Sequence, residues 1–269
     1  MTAIPFRKTP QSRAADDHQH AQRDNVSAHE TEWVETPTSV QIMGALEYAR
    51  ATPSIAVVFG GVGCSKTSAA RHYAKSFSWP SKGRVHYVYA SQFRRSPTAI
   101  LHAIAVKVFP DFVGAYRSYQ IVEEILGALG PGSLIIVDEA QHLETEALEG
   151  VRSFLDEGGI GLAFLGNAVL DARIAGKGRH AAFAQMHSRV GMRLHVGRPS
   201  DDDIKAVLDA WRISGRRERE YAGQIAGGSG GIRQLRKVLD QARLAATELN
   251  RPLDFNLMTK AVEMLGLAD

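Results

Sequence analysis

Residues 60–67 read Gly60-Gly61-Val62-Gly63-Cys64-Ser65-Lys66-Thr67, between the apolar run Ile55–Phe59 and a helix-forming stretch. Small residues let a backbone curl around an anion with successive N–H groups pointing inward. The following helix N-terminus adds its dipole. In a phosphate-binding loop of this form Lys66 neutralises the β- and γ-phosphates of ATP, and Thr67 offers its hydroxyl to Mg2+. One position departs from the pattern: glycine ordinarily precedes the lysine, and Ser65 stands there, bringing a Cβ towards the phosphates.

A second signature lies further along. Leu134–Val137 is an apolar, strand-sized run that ends in Asp138 and Glu139. Two acids at a strand end can simply cap the next helix. Downstream of a phosphate-binding loop they read as a hydrolytic pair, Asp138 positioning Mg2+ through its water shell and Glu139 orienting and deprotonating the attacking water. Asn167, after the run Gly161–Gly166, either holds that water or caps a helix. Arg233 opens a helix after Gly230-Gly231, where a cation opposes the helix dipole; it either reaches the γ-phosphate or is solvated. Arg189, in Ser188-Arg189-Val190-Gly191, is a candidate arginine finger for a neighbouring subunit's nucleotide, with Arg193 as its competitor.

The elements that must position these residues follow from periodicity. Strand-like runs at 54–59, 85–90, 134–138, 161–166 and 192–196 alternate with helical stretches at about 66–77, 97–109, 118–129 and 144–157, behind a leading helix at 38–50. Apolar strands alternating with helices predict a parallel sheet covered on both faces. After Pro199 the pattern becomes helical throughout, with candidate helices at 201–213, 217–226, 232–248 and 254–266. Ser200 is suited to cap the first of these, with Asp201, Asp202 and Asp203 favoured by its dipole. Three units are expected: a polar, disordered arm over 1–32, a nucleotide-binding domain over 33–198 and a helical lid over 199–269.

Composition narrows the class. The chain of 269 residues carries 44% hydrophobic and 23% charged residues, enough apolar content for a packed core. No apolar run approaches the ~20 residues of a membrane span, and the N-terminus lacks the apolar core of a secretory signal. The lone Cys64 excludes an intrachain disulfide. A cytoplasmic protein with no membrane partner is expected. The net charge of +3 permits nucleic-acid contact without requiring it. Two basic loops are candidates for phosphate-backbone contact, Arg94 with Arg95, and Lys177 with Arg179; the alternative for each is a solvated surface loop.

The set GGVGCSKT, LIIVDEAQHL, FLGN, HSRVG and GGIRQL, with the lead-in at 33–58 and the stretch 203–220, resembles the AAA+ ATPases of the transposition-regulator group, in particular its Mu B-like branch, with TniB, TnsC and IstB as relatives. The resemblance implies a P-loop αβα sandwich with a five-stranded parallel sheet and a C-terminal helical lid. It implies an ATPase that oligomerises on double-stranded DNA with little sequence preference, captures target DNA and stimulates a transposase. By that resemblance Asn167 is sensor 1, Arg233 sensor 2 and Arg189 the finger, and the 91–96 region lies on the DNA-facing surface. Two departures stand out: Ser65 for the usual glycine, and a short arm where the Mu B branch has a helix-turn-helix domain. A regulator of helicase-loader or secretion type on the same fold is the alternative, as is a scaffold that binds ATP and scarcely hydrolyses it.

Overall fold

The computed structural model describes residues 33–77, 85–113, 116–175 and 181–267, the side chains of 181–184 excepted. The arm expected over 1–32 and the loop carrying Lys177 and Arg179 lie outside the described residues. The first helix, α1 (Pro37–Ala51), starts at a capping box in which Thr36 Oγ1 accepts from the Ser39 N–H, and Pro37 sits where a missing N–H costs nothing. The strands and helices then alternate: β1 (Ile55–Gly60), α2 (Lys66–Ser76), β2 (Val85–Tyr89), α3 (Pro97–Val108), α4 (Ser118–Ala128), β3 (Leu134–Asp138), a 3-10 turn at Ala140–His142, α5 (Thr145–Gly158), β4 (Gly161–Gly166), α6 (Ala168–Ile174), α7 (Ala181–Arg189) and β5 (Val190–Val196).

All strand pairs are parallel, in the order β2-β3-β4-β1-β5. The register explains the site. Phe59 pairs with Gly166, Gly60 with Val196, and Val137 with Phe164. The chain therefore leaves β1, β3 and β4 at one carboxyl edge of the sheet, where open α/β sheets bind ligands. Residues alternate between the two faces: Ile55, Val57, Ile135, Val137, Leu162 and Phe164 pack with α3, α4 and α5, while Ala56, Val58, Leu134, Ile136, Ala163 and Leu165 pack with α1 and α2. Both faces of the central strands are buried, which is why those strands read as continuous apolar runs.

Residues beyond 199 form α8 (Asp201–Ala210), α9 (Arg216–Gly227), α10 (Gly231–Glu248) and α11 (Phe255–Met264), with an apolar cluster of their own. The first is shorter than its periodicity predicts. Arg212 takes a left-handed φ of 56°, and the Ile213 N–H bonds back to Leu208 O at 2.9 Å, closing the helix in a Schellman-type turn. The strand expected at 192–196 begins at Val190, so Arg189 is the last residue of α7. No helix among the described residues is long and apolar enough to cross a membrane.

One buried carboxylate ties the helical region to the sheet. Asp203, 1% exposed, accepts from the Thr38 N–H and hydroxyl at 2.8 and 2.7 Å and from the Ser200 N–H and hydroxyl at 2.9 Å each. Burial alone would raise its pKa; the bonds from Thr38 and Ser200 outweigh that and hold it below the ordinary aspartate value. Because the folded pKa is depressed, the stabilisation is complete above the unfolded value of about 3.9 and is lost as pH falls through the folded one. Asp203→Asn, which turns an NH2 towards these donors, is expected to cost about 2–3 kcal/mol at neutral pH. It should also flatten the acid limb of the stability curve. Chemical denaturation of both proteins between pH 3 and 7 measures the two effects together.

Candidate functional site

The carboxyl edge opens into a cleft of about 670 Å³ lined by all of Gly60–Thr67, by Glu139, Gln141 and Asn167, and by Ile232, Arg233 and Arg236 of α10. In the loop, Lys66 Nζ donates to the carbonyls of Gly60 and Gly61 at 3.0 and 2.6 Å. Burial draws its pKa down and Arg233 adds to the effect, while Cys64, Asp138 and Glu139 oppose it. A half-buried ammonium held by neutral carbonyls can exchange them for an anion. Ser65 has φ 61° and ψ 6°, the left-handed region. The usual glycine at this position is thus a backbone requirement, and serine meets it with strain. Cys64 is 6% exposed and packs in the apolar cluster with α1 and α2. The thiol lies beneath the loop, so its backbone is what Cys64 offers to a phosphate.

Asp138 is 1% exposed. One carboxylate oxygen accepts from the Tyr87 hydroxyl at 2.7 Å and the other from the Glu139 N–H at 2.9 Å. Tyr87 in turn sits beneath the guanidinium of Arg71, 5.2 Å from its ring centroid. Burial and the Asp138 charge push the Tyr87 phenol well above its ordinary pKa, so it stays a donor to Asp138. Glu139 adopts a left-handed φ of 55°, and its carboxylate accepts from Gln141 Nε2. Asn167 caps α6, its Oδ1 accepting from the Val169 N–H at 2.9 Å, and still lines the cleft. The helix-cap reading of that residue is what the hydrogen bond shows.

The cleft closes through backbone contact. Gly63, at φ 77°, lies so near the helical region that a Cβ there would fall 2.0 Å from Gly230 O; a Cβ on Gly231, at φ 57°, would fall 3.0 Å from Gly63 O. That contact brings Arg233 to the loop from the first turn of α10, with Arg236 one turn further on. Sequence reasoning missed Arg236, although its spacing from Arg233 puts both on one helix face. It also missed Arg71, Lys75, Trp33 and Trp211, all in the lining. Trp33 stacks on His72 with centroids 4.1 Å apart and rings 8° from parallel. Trp33, His72 and Trp211 give the lining its aromatic part.

Other candidates lie elsewhere. Arg189 bonds Asp156 at 2.8 Å beside the start of β5, where Val190 pairs with Ile55. That is the opposite end of β1 from the loop, roughly 17–20 Å along a six-residue strand. Arg189 therefore does not share a site with Lys66 of its own chain. Arg193 pairs with Asp171 of α6. Arg94 is exposed, without an ion pair among the described residues, and Arg95 pairs with Glu144 at 2.9 Å. Between them and Gln92 projects Phe93, 94% exposed.

Comparison with known proteins agrees with this geometry. An AAA domain family matches residues 49–174, and the Mu B transposition protein C-terminal family matches residues 188–265. The ATP-dependent target DNA activator B of Escherichia phage Mu is 31% identical over 240 residues, 87% of this chain and 74% of that protein. The chain belongs to the Mu B family of transposition proteins. The ATP-dependent target DNA activator B of Escherichia phage D108 is 30% identical over 240 residues, 87% of this chain and 74% of that protein. The Mu-like prophage FluMu protein B of Haemophilus influenzae is 36% identical over 186 residues, 67% of this chain and 62% of that protein. In fold, this Mu B-family chain is similar to Cdc6p of Pyrobaculum aerophilum, at TM-score 0.63 and 17% identity, covering 84% of this chain and 66% of that one. It is also similar to the RuvB branch migration motor of Thermotoga maritima, at TM-score 0.52 and 16% identity over 86% of this chain and 69% of that one. Both likenesses bear on the fold, an AAA-type α/β ATPase architecture.

The loop geometry yields a paired test. Ser65→Gly removes a left-handed penalty of about 1–2 kcal/mol and adds about 0.5–1 kcal/mol of unfolded-state entropy. The net gain should raise the melting temperature by about 2 °C. Gly63→Ala, with no room against Gly230, should weaken binding of a fluorescent ATP analogue more than tenfold while the protein still unfolds cooperatively. Thermal melts and equilibrium titration measure both.

Proposed function

We propose that this Mu B-family protein is an Mg-dependent ATPase that assembles on duplex DNA in its ATP-bound form, captures target DNA and stimulates a partner transposase. The observation that supports it most is the meeting of three elements in one cleft: the loop Gly60–Thr67, the strand-end Glu139, and Arg233 delivered by backbone contact between Gly63 and Gly231. The nucleotide-binding domain then spans 33–198 and the lid 199–269, with the aromatic part of the cleft taking the base.

In this reading the loop N–H groups and Lys66 hold the β- and γ-phosphates, and Arg233 meets the γ-phosphate from the lid. The Thr67 hydroxyl and the Asp138 carboxylate form a hard-oxygen pair suited to Mg2+, which keeps most of its waters and needs few protein ligands. When bound, Mg2+ offsets the charge that develops on the phosphate oxygens. Tyr87 fixes the rotamer of Asp138. Glu139 takes a proton from water as its oxygen bonds to the γ-phosphorus and the bond to the β-phosphate oxygen breaks, leaving ADP and phosphate. Asn167 holds that water with its free NH2. Arg189, remote from its own loop, would complete a neighbour's site once it leaves Asp156.

The DNA surface in this proposal is the exposed 91–96 loop. Arg94 contacts backbone phosphate, Phe93 presses on the sugars, and Arg95 contributes after exchanging Glu144 for phosphate; Lys177 and Arg179 supply a second loop.

Two measurements test the reading. Glu139→Gln should keep ATP affinity, lose turnover by two orders of magnitude or more, and accumulate filaments on DNA visible by negative-stain microscopy; turnover at the parental rate would assign the base elsewhere. DNA affinity should fall steeply with salt, and Arg94→Ala should lower the log–log slope by about 0.9. A slope unchanged in Arg94→Ala would remove this loop from the interface.

A further inference from the structure

Glu149, Arg152 and Asp156 recur at helical spacing along α5, as Gln185 and Arg189 do along α7. Met186, fully buried in the apolar cluster that holds Val151 and Leu155, seats α7 on α5. Beside that apolar contact the polar side chains of the two helices meet, with Arg152 at the centre. Its Nε donates to Glu149 Oε2 at 3.0 Å, one Nη to Asp156 Oδ2, and the other to Gln185 Oε1 at 3.2 Å. All three guanidinium nitrogens are engaged, and the side chain is only 15% exposed. Arg152 is a fixed part of the fold.

Arg189 is held differently. Its Nε donates to Asp156 Oδ1 at 2.8 Å and one Nη to its neighbour Ser188 Oγ at 3.1 Å. The side chain is 47% exposed. Asp156 thus carries two arginines, one on each oxygen, the first locked in place and the second at the surface. The asymmetry matters when Arg189 departs. A part-buried carboxylate stripped of its only cation bears the cost of an unmet charge; Asp156 keeps Arg152 and needs only water at its other oxygen. Gln185 keeps α7 bonded to Arg152, so the departure moves a side chain and leaves the helix in place. Glu149 and Asp156 against Arg152 then carry one net negative charge, which draws Arg189 back once a competing anion has gone.

We propose that Asp156 is a positioning residue that parks Arg189 while the chain is alone, and that Arg152 sets how easily the arginine is given up to the γ-phosphate held by a second copy of this chain. The proposal rests on Arg189 acting on a neighbour's nucleotide. Parking is undone once for every subunit contact formed. It therefore opposes assembly of the ATP-bound chains and leaves the assembled site unchanged.

The test is ATP hydrolysis by the full chain at rising protein concentration, with saturating Mg-ATP and fixed duplex DNA. The variants are Asp156→Asn, Arg152→Gln, the two combined, and Arg189→Ala. The rate per chain climbs to a plateau as copies meet. Asp156→Asn should lower the concentration at half-maximal rate about twofold to fivefold, the effect of losing one exposed ion pair. Its plateau rate and KM for ATP should stay parental, because Asp156 touches no nucleotide. Arg152→Gln leaves Arg189 as the sole cation on Asp156 and should raise the half-maximal concentration by a similar factor. The combined variant should match Asp156→Asn, since Arg152 acts through Asp156. Asp156→Ser gives the same readout if Asp156→Asn does not fold. A half-maximal concentration unchanged or raised in Asp156→Asn would overturn the proposal. So would a combined variant worse than either single one, because the network would then only brace α7 on α5. Arg189→Ala separates the layers. If it loses the plateau rate while Asp156→Asn shows no shift, the inference fails and the finger assignment stands. If it reaches the parental plateau, the finger assignment fails and the inference with it.

Discussion

The structure turns on a contact between two stretches of backbone. Gly63 in the phosphate-binding loop and Gly230-Gly231 at the head of α10 meet with no room for a side chain between them. Both Gly63 and Gly231 have positive φ, so the close approach and the conformation each call for glycine. Backbone against backbone gives a stiff, short-range coupling that side chains could not, because no rotamer can absorb a displacement. Whatever moves the loop moves the start of α10, and Arg233 lies two residues beyond Gly231. Asp203 provides a second tie far from the first, joining Thr38 of α1 to Ser200 at the head of α8. The lead-in spans the two bodies as well, Trp33 packing on the sheet side and Val34 on the helical cluster. The helices beyond 199 are thus tied to the sheet at three places.

Electrostatics within the cleft follow from that closure. Lys66, Arg71, Lys75, Arg233 and Arg236 line it, against Glu139 alone among acids in the lining. Asp138 is buried behind, its oxygens already engaged by Tyr87 and by the backbone. Burial is the main cause lowering the Lys66 pKa, and the nearby Asp138 and Glu139 charges act against it. A polyanion entering the cleft would replace the two carbonyls that hold Lys66.

The parts of this arrangement that were legible in sequence are those set by local rules. The Gly60–Thr67 loop, the acids at the end of β3 and the five strands follow from turn chemistry and from buried strands reading as apolar runs. Element boundaries agree within a few residues, and α8 is shorter because Arg212 adopts a left-handed turn that no periodicity announces. What stayed hidden depends on partners distant along the chain. Thr38 and Asp203 are separated by 165 positions and Tyr87 and Asp138 by 51, and neither pair has a pattern of its own. Asn167 illustrates the limit: cap and water-holder call for the same residue at the same place, and only the structure reveals that its oxygen serves the cap, accepting from the Val169 N–H. Arg189 reads as near the site in order of motifs, yet parallel pairing with β1 puts it at the far end of that strand.

Three arginines outside the cleft share one feature. Arg95, Arg189 and Arg193 each rest against a carboxylate, Glu144, Asp156 and Asp171. Exposed ion pairs of this kind contribute about 0–1 kcal/mol. They are therefore weak enough to exchange and strong enough to hold a side chain in a defined resting place. Two consequences follow from the size of that number. A single phosphate offers little gain over the resident carboxylate, so isolated anions leave these arginines where they are. A ligand or neighbour that engages several at once collects the differences together. Pairs of this strength would therefore yield more readily to a multivalent partner than to a small anion. Arg94 has no ion pair among the described residues, so a polyanion approaching the 91–96 loop would displace no carboxylate to reach it and would have to displace Glu144 to reach Arg95.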